Sequence, residues 1–265
     1  MKAREFHRWD VTPAEARRIQ VELRGCVELQ DRFATEARRH RGIRKSKLEK
    51  RKLEFENRDS KLDIRNSVRT VAGADVAFDF RAGGTRAGRA IAGVIVYSFP
   101  EMKELERACA ERELKFPYVP GLLSFREIPA LLAAFAKLSA APEVVFCDGQ
   151  GYSHPRRFGL ASHLGVLLDC VTVGCAKSRL IGEHAEPARA AGSWKPLMDV
   201  GETIGAVLRT RDRVNPIYVS QGHRVSLPTA IALVMAVADG FRVPKPTREA
   251  DHFVEEMKRR SRACG

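Results

Sequence analysis

Residues 71–80, VAGADVAFDF, constrain the fold most, because they place acidic side chains within an otherwise apolar strand. A glycine-rich turn, RAGGTRAGR, separates them from a second apolar strand, AIAGVIVYSF at 90–99. This pattern predicts a β-hairpin. An unpaired carboxylate facing a core is costly. Asp75, near the centre of the first strand, is therefore expected either to be an ordinary paired acid or to line a polar cleft or cation site.

Short strands and helices alternate after this hairpin. Helices are predicted at 129–138, 155–168, 228–238 and 249–260, and strands at 143–148, 172–176 and 217–220. Residues 101–116 are ambiguous, because their alternation is poor and their charges favour a helix. Hairpin strands followed by alternating strands and helices predict an α/β domain with a mixed β-sheet flanked by helices.

The N-terminal region differs in composition from the rest. Thr12, Pro13 and Glu15 form a capping-box pattern that predicts the start of a helix. Residues 34–65 then carry twelve Lys/Arg and six Asp/Glu, which indicates a solvated helix or linker, or a segment lying along phosphates. We therefore expect a basic, helical N-terminal extension at 1–65 and an α/β domain at 66–265.

The net charge narrows the class of partner. The 265 residues carry a formal charge of +13, which favours nucleic acid or an anionic membrane, although it can also serve solubility alone. No early stretch resembles a signal peptide and no run approaches the ~20 apolar residues of a membrane span, so we expect no membrane contact. The six cysteines are scattered without a CxxC pair, which suits a cytoplasmic protein and argues against zinc.

Three carboxylates occur on separate segments. Asp148 ends the apolar run VVFC and precedes glycines, Glu127 is predicted just before a helix, and Asp75 lies on the first strand. Carboxylates converging from separate segments suit a hard divalent ion such as Mg²⁺, and paired metal ions support phosphodiester cleavage. Singly, each acid also has a structural explanation, such as a salt bridge between Glu127 and Arg126.

Other polar and aromatic groups lie at predicted strand ends, helix starts or turns. His154, Lys177 and His223 occupy such positions, although a lone histidine is more often structural and Lys177 could lie on the surface. The loop from Pro117 to Gly121 holds Tyr118 between two prolines. Such a stiff aromatic tip suits a wedge entering a base stack, or a ring packed inward.

Five segments together resemble the endonuclease V family of inosine-directed nucleases. They are VAGADVAF at 71–78, PYVPGLLSFRE at 117–127, DGQGYSHPRRFGLASHLG at 148–165, GCAKSRL at 174–180 and GHRVSLPTA at 222–230. They occur in the order of the family and with approximately its spacing. The resemblance implies a ribonuclease H-like fold, which requires a third strand at 101–116, and Mg²⁺-dependent hydrolysis with Mn²⁺ as a substitute. It also implies repair of DNA containing deoxyinosine by a monomer that cuts the second phosphodiester bond 3′ to the lesion.

The resemblance also implies a role for each matching residue. Asp75, Glu127 and Asp148 match the metal-binding carboxylates, His223 the histidine near a second metal, and Lys177 the active-site lysine. Tyr118 matches the strand-separating wedge. The residues matching the surroundings of the wedge and the pocket for the flipped base are Pro117, Val119, Pro120, Gly121, Leu123, Gly149, Gly151 and His154.

Three features depart from the family pattern: Gln221 precedes Gly222 and His223, the N-terminal basic stretch is longer than the family core requires, and residues 101–116 give a poor strand pattern. Three alternatives to a deoxyinosine nuclease stay open. The chain could cut inosine-containing RNA, bind modified nucleic acid without cutting it, or act as a structure-specific nuclease indifferent to inosine.

Overall fold

The computed structural model describes residues 1, 3–32, 67–80 and 88–263. The basic stretch predicted at 34–65 and the centre of the glycine-rich turn lie outside these residues. The helices are α1 (Pro13–Leu23), α2 (Leu123–Phe135), α3 (Leu160–Leu168), α4 (Leu227–Ala236) and α5 (Lys245–Ala263). The strands are β1 (Thr70–Asp79), β2 (Arg89–Ser98), β3 (Glu104–Glu113), β4 (Val144–Cys147), β5 (Val171–Ala176), β6 (Trp194–Asp199), β7 (Glu202–Leu208) and β8 (Ile217–His223).

The described strands form one mixed sheet in the order β3-β2-β1-β4-β5-β8-β7-β6. The central strands β1, β4 and β5 are parallel, and the outer pairs are antiparallel. The predicted α/β class with a mixed sheet is thereby confirmed. Because the central strands are parallel, the residues that follow β4 and β5 emerge at the same end of the sheet.

Helices cover both faces of the sheet and bury its apolar side chains. Ile128 of α2 and Leu164 of α3 lie in the core on one face, and Ile231 of α4 and Phe253 of α5 lie in the core on the other. Near-continuous apolar strands are expected where both faces are covered. The apolar runs in β1, β2, β4 and β5 therefore follow from this three-layer arrangement.

Glycines in β1 and β2 let α5 approach the sheet closely. A Cβ atom at Gly73 would lie 1.8 Å from the carbonyl oxygen of Pro246, at the start of α5. At Gly93 a Cβ atom would lie 2.6 Å from a methyl carbon of Val254. This close packing fixes α5 along β1.

The predicted N-terminal helix is present and packs on the domain. The Thr12 hydroxyl accepts a hydrogen bond from the Glu15 backbone N–H, and the Glu15 carboxylate accepts one from the Thr12 backbone N–H, which completes the capping box. Ala16 and Ile19 of α1 are buried in a small core with Phe125 of α2. The described part of the N-terminal region thus rests on the α/β layers.

The structure corrects several predicted boundaries. Residues 101–116 contain the edge strand β3, whose charged side chains suit its exposed position. Helix α2 begins at Leu123, so Pro129 lies inside it and Glu127 is on the helix instead of before it. Helix α3 begins only at Leu160, because residues 155–159 form turns.

Strands β6 and β7 were not predicted. Their sequences, WKPLMD and ETIGAVL, give weak strand patterns, because β6 lies at the exposed edge of the sheet. In the part of the chain that the structure describes, no helix combines the length and the hydrophobicity required to cross a bilayer.

Candidate active site

Three carboxylates lie near the end of β4, close enough for their charges to interact. Asp75 lies on β1, Asp148 directly follows β4, and Glu127 projects from α2. The backbone N–H of Asp148 lies 3.4 Å from the carbonyl oxygen of Ala74, which holds Asp148 beside Asp75. The parallel pairing of β1 with β4 therefore brings two of the predicted acids together.

Burial, with repulsion from neighbouring acids, raises the pKa of all three carboxyls. Burial, and then the charge of Asp148, raise the pKa of Asp75 to about 8. Burial, followed by the charges of Asp75 and Asp148, raises the pKa of Glu127 well above its usual range. Burial also raises the pKa of Asp148, although Lys177 partly offsets this effect. Such a group of repelling acids attracts a compensating cation.

Lys177 supplies one positive charge at this site. Its Nζ atom lies 2.6 Å from Oδ2 of Asp148 and 3.2 Å from Oδ2 of Asp251. Burial disfavours the charged lysine, but hydrogen bonds and charge from these two acids outweigh burial and raise its pKa. The ammonium therefore stays charged beside Asp148.

Asp251 was missed by the sequence analysis. It lies on α5, and its charge contributes to the raised pKa of both Asp75 and Asp148. The sequence EADHFVEEMKRR around it reads as a solvated helix face, so the local pattern gave no signal. Only the close approach of α5 to Gly73 reveals that Asp251 belongs to this end of the sheet.

The donor groups fit a hard divalent cation. Among residues 1, 3–32, 67–80 and 88–263, no three His, Cys, Asp or Glu side chains already converge as a coordination shell. The acids at this site nevertheless offer only oxygen ligands, which is the set that Mg²⁺ prefers. Asp75 forms no ion pair within the described residues; its Oδ1 atom accepts a hydrogen bond from the N–H of Val76.

A cavity of about 420 Å³ opens beside these carboxylates. Predicted pocket residues on its wall are Tyr118, Val119, Pro120, Gly121, Leu123, Gly149 and His154. Asp148 and Lys177 also line it, so the cavity reaches the acidic cluster. This volume lies within the usual range of small-molecule and base-sized pockets.

The loop bearing Tyr118 presents its ring to solvent. The Tyr118 side chain is 72% exposed, which excludes the alternative that the ring packs inward. Pro117 and Gly151 do not appear among the described residues that line the cavity. Gly151 instead lies against the backbone of β8, where a Cβ atom would stand 2.1 Å from the carbonyl oxygen of Gln221. Gly151 therefore supports the pocket from behind.

Hydrogen bonds lock the far wall of the cavity. The carbonyl oxygen of Gly121 accepts from His154 Nε2 at 3.0 Å, Arg156 at 2.7 Å and Gln20 at 3.1 Å. His154 Nδ1 accepts from the Arg156 backbone N–H, and burial lowers the pKa of His154 to about 4, so the ring is neutral. His154 therefore holds the loop after Tyr118 in place.

Gln20 is a second residue that the sequence analysis missed. It comes from α1, where it interrupts the apolar face, and it is 1% exposed. Besides Gly121, its amide donates to the carbonyl oxygen of Phe158 at 3.0 Å, and its Oε1 accepts from Arg156 at 2.6 Å. The N-terminal helix thus contributes directly to the pocket wall.

The structure does not bring His223 to the carboxylates. His223 pairs with Thr172, at the start of β5, whereas Lys177 follows the other end of that strand. Four residues of a strand span about 13 Å. His223 Nδ1 accepts from the N–H of Glu28, and burial lowers the pKa of His223 to about 4. The antiparallel direction of β8 therefore corrects the expectation that His223 lies near a metal.

Known proteins share this arrangement along most of the chain. The family model for Endonuclease V matches residues 50–252. An Endonuclease V of Trichormus variabilis is 45% identical over 251 residues, covering 95% of this chain and 97% of that protein. The crystal structure of Endonuclease V from Streptomyces avermitilis has a TM-score of 0.77 at 36% identity and covers 96% of both chains.

A third relative was crystallised with nucleic acid. Ciona intestinalis Endonuclease V, in complex with a 24mer DNA containing an inosine followed by a ribo-adenosine, has a TM-score of 0.69 at 25% identity. The match covers 93% of this chain and 98% of that one. Family model, sequence relatives and fold agree, and we conclude that the chain belongs to the Endonuclease V family and is an endonuclease with a ribonuclease H-like fold.

Proposed function

We propose that this endonuclease recognises deoxyinosine in DNA and, with Mg²⁺, hydrolyses the second phosphodiester bond 3′ to it. The observation that carries the proposal is the base-sized cavity that shares Asp148 and Lys177 with the acidic cluster. A site that reads a base and a site that cuts the backbone are thereby adjacent. The relative crystallised with inosine-containing DNA supports the same substrate class.

In this proposal Asp75, Glu127 and Asp148 hold Mg²⁺, or Mn²⁺ in its place, with Asp251 adding negative charge nearby. A divalent ion held there would supply a Lewis acid that lowers the pKa of a water and stabilises the leaving oxygen. Lys177 keeps its ammonium at 2.6 Å from Asp148, where it can offset charge on the phosphate. His223 has no part in the chemistry, because it lies at the opposite end of β5.

The cavity wall selects the base through shape and backbone groups. The amide of Gln150 donates to the carbonyl oxygen of Ser178 and accepts from Ser153, and His154 is engaged with Gly121. With these two side chains occupied, backbone groups near Gly149 are left to meet hypoxanthine. An unsatisfied buried polar group costs about 1–3 kcal/mol, which disfavours adenine by one to two powers of ten.

The N-terminal basic stretch at 34–65 is proposed to contact the phosphate backbone, ahead of a catalytic domain at 66–265. Its sequence carries twice as many basic as acidic residues. We further propose that the protein acts in DNA repair, as a monomer, in the cytoplasm, where scattered reduced cysteines are stable.

A matched cleavage panel tests this function. Otherwise identical oligonucleotides carrying deoxyinosine, ribo-inosine or no modification are incubated with Mg²⁺ or with chelator. We expect cleavage of deoxyinosine DNA with Mg²⁺ only. Preferred cutting of inosine RNA would favour an endoribonuclease. Equal cutting of unmodified strands would indicate a structure-specific nuclease, and binding without cutting would indicate a non-cleaving binder.

Tyr118→Ala should weaken binding to deoxyinosine duplex about tenfold, since stacking of one base on an aromatic ring contributes about 1–3 kcal/mol. Fluorescence anisotropy with Ca²⁺ measures this affinity without cleavage. Tyr118→Phe keeps the ring and serves as the control, with affinity near wild type. The dependence of cleavage on Mg²⁺ concentration should not change. An unaltered affinity in Tyr118→Ala would remove Tyr118 from the interface.

A further inference from the structure

The end of the β1–β2 hairpin projects beyond the sheet beside the active site. Strand β1 pairs with β4 only from Val71 to Ala74, whereas its pairing with β2 continues to Asp79 and Arg89. Asp148 directly follows Cys147, the last residue of β4, which pairs with Ala74 of β1. The last residues of β1 therefore flank the acidic cluster, and no strand among the described residues pairs with their other edge.

Alternation of side chains places two phenylalanines on the side of this hairpin that α2 covers. Val76 packs in the same core as Ile128 of α2, and Phe78 packs against that core. On the opposite face Asp79 pairs with Arg262 of α5 at 2.9 Å. Phe80 follows Phe78 by two residues, and the two rings are stacked with centroids 6.4 Å apart.

Arg126 joins these rings to the wedge loop. Its guanidinium carbon lies 4.8 Å from the ring centroid of Phe78, 5.7 Å from that of Phe80 and 6.0 Å from that of Tyr118. Its Nη1 atom donates to the carbonyl oxygen of Phe116, and its buried Nε atom has no hydrogen-bond partner among the described residues. The side chain is therefore held by stacking more than by ion pairing. We call Phe78, Phe80, Arg126 and Tyr118 the aromatic strip.

The outer end of the aromatic strip is open to solvent. Phe80 is 65% exposed, close to the exposure of Tyr118. Its ring lies across Gly88, where a Cβ atom would stand 2.7 Å from the Phe80 Cδ1 atom. The absence of a side chain at Gly88 thus allows the ring to lie flat over the hairpin. Exposed aromatic rings alternating with a guanidinium form the kind of surface on which nucleic-acid bases stack.

We propose that Phe80 is a second base-stacking residue, which receives an unstacked base of the bound nucleic acid next to the nucleotide that enters the cavity. This inference rests on the proposed function for the identity of the substrate. Phe78, Phe80 and Arg126 are not among the described residues lining the cavity, so the base on Phe80 is a different one from the flipped base. The occupant is a nucleic-acid base because the aromatic strip includes Tyr118, the proposed wedge, and because the chain carries a charge of +13.

The test replaces Phe80 and measures binding to oligonucleotides in which 2-aminopurine stands, in turn, at each position flanking deoxyinosine. With Ca²⁺ and the full chain, Phe80→Ala should weaken binding about five- to tenfold. It should also raise 2-aminopurine fluorescence at one flanking position, because the quenching stack is lost. Phe80→Trp keeps an aromatic surface and should restore both readouts.

Leu105→Ala is the matched control. Leu105 is a comparably exposed apolar residue on β3, near the opposite end of the hairpin sheet, and its replacement should change neither readout. Equal melting temperatures of the variants exclude a loss of folding. Affinity and fluorescence unchanged in Phe80→Ala at every position would overturn the proposal and leave the surface to another kind of partner.

The same experiment separates an error in the proposed inosine specificity from an error in the stacking role of Phe80. If the wild-type chain bound deoxyinosine and unmodified strands equally but still lost affinity through Phe80→Ala, the inosine specificity would be wrong and the stacking role would stand. If the wild-type chain cut beside deoxyinosine and Phe80→Ala behaved like wild type, only the stacking role would be wrong.

Discussion

Replacing Asp75 or Asp148 with asparagine should lower the rate of cleavage by about 10³-fold or more. Each substitution keeps the size of the side chain and removes one charged oxygen ligand from the acidic cluster. A Lewis acid contributes several kcal/mol to phosphodiester cleavage, and about 4 kcal/mol corresponds to 10³-fold. Single-turnover cleavage of a deoxyinosine oligonucleotide measures the loss.

Binding separates this loss from unfolding. In the presence of Ca²⁺, both variants should bind the oligonucleotide with an affinity within about threefold of wild type, because the cavity and Tyr118 are unchanged. Asp212→Asn is the control, since Asp212 is an exposed acid that accepts a hydrogen bond from the backbone of Ala191. Cleavage near the wild-type rate in Asp75→Asn or Asp148→Asn would remove that residue from the catalytic site.

Asp251→Asn should lower cleavage by about ten- to a hundredfold, whereas His223→Gln should leave it within about twofold of wild type. Asp251 contacts Lys177 at 3.2 Å and adds negative charge beside Asp75 and Asp148. His223 instead accepts a hydrogen bond from the backbone of Glu28, and glutamine preserves an acceptor there. Cleavage rates measured over a range of Mg²⁺ concentrations compare the two variants.

Asp251→Asn and His223→Gln should also respond differently to added Mg²⁺. Extra Mg²⁺ should partly rescue Asp251→Asn, because the missing charge weakens attraction for the cation. For His223→Gln the only expected change is a small loss of stability, visible as a lower melting temperature. The reverse pattern, with His223→Gln inactive and Asp251→Asn active, would restore the assignment that the sequence resemblance implied for His223.

The carboxylates were predictable because their sequence surroundings are unusual. An acid within VAGADVAF, or directly after VVFC, is costly in a buried core unless it faces a site. The meeting of Asp75 with Asp148 depends further on β1 and β4 being parallel neighbours, because their register pairs Ala74 with Cys147 and so places the two acids side by side. The stiffness of the loop that holds Tyr118 was predictable from its two prolines, whereas the sequence left open whether the ring is exposed or packs inward.

The remaining site residues depend on tertiary geometry. Asp251 sits among other charges on α5, and only the close contact of Pro246 with Gly73 reveals its place at the site. Gln20 looks like an ordinary helix residue until α1 docks and its amide reaches Gly121. His223 occupies a strand end, as expected, but β8 is antiparallel to β5, and the direction of a strand cannot be read from its composition.

Asp75 also makes stability depend on pH. In the folded chain its pKa is raised to about 8, whereas its ordinary value is 3.8. Between these values the folded chain holds a proton that the unfolded chain has released, so Asp75 makes the free energy of unfolding fall as pH rises through this window. A cation held by ionised carboxylates competes with that proton. Its stabilising effect should therefore increase with pH.

The most direct measurement is the rise in melting temperature caused by Mg²⁺ at about pH 5 and at about pH 8, for the wild-type chain and for Asp75→Asn. We expect Mg²⁺ to stabilise the wild-type chain more at the higher pH, and to stabilise Asp75→Asn little at either. Equal stabilisation of both proteins, or a rise that shrinks as pH increases, would contradict a cation site built on Asp75.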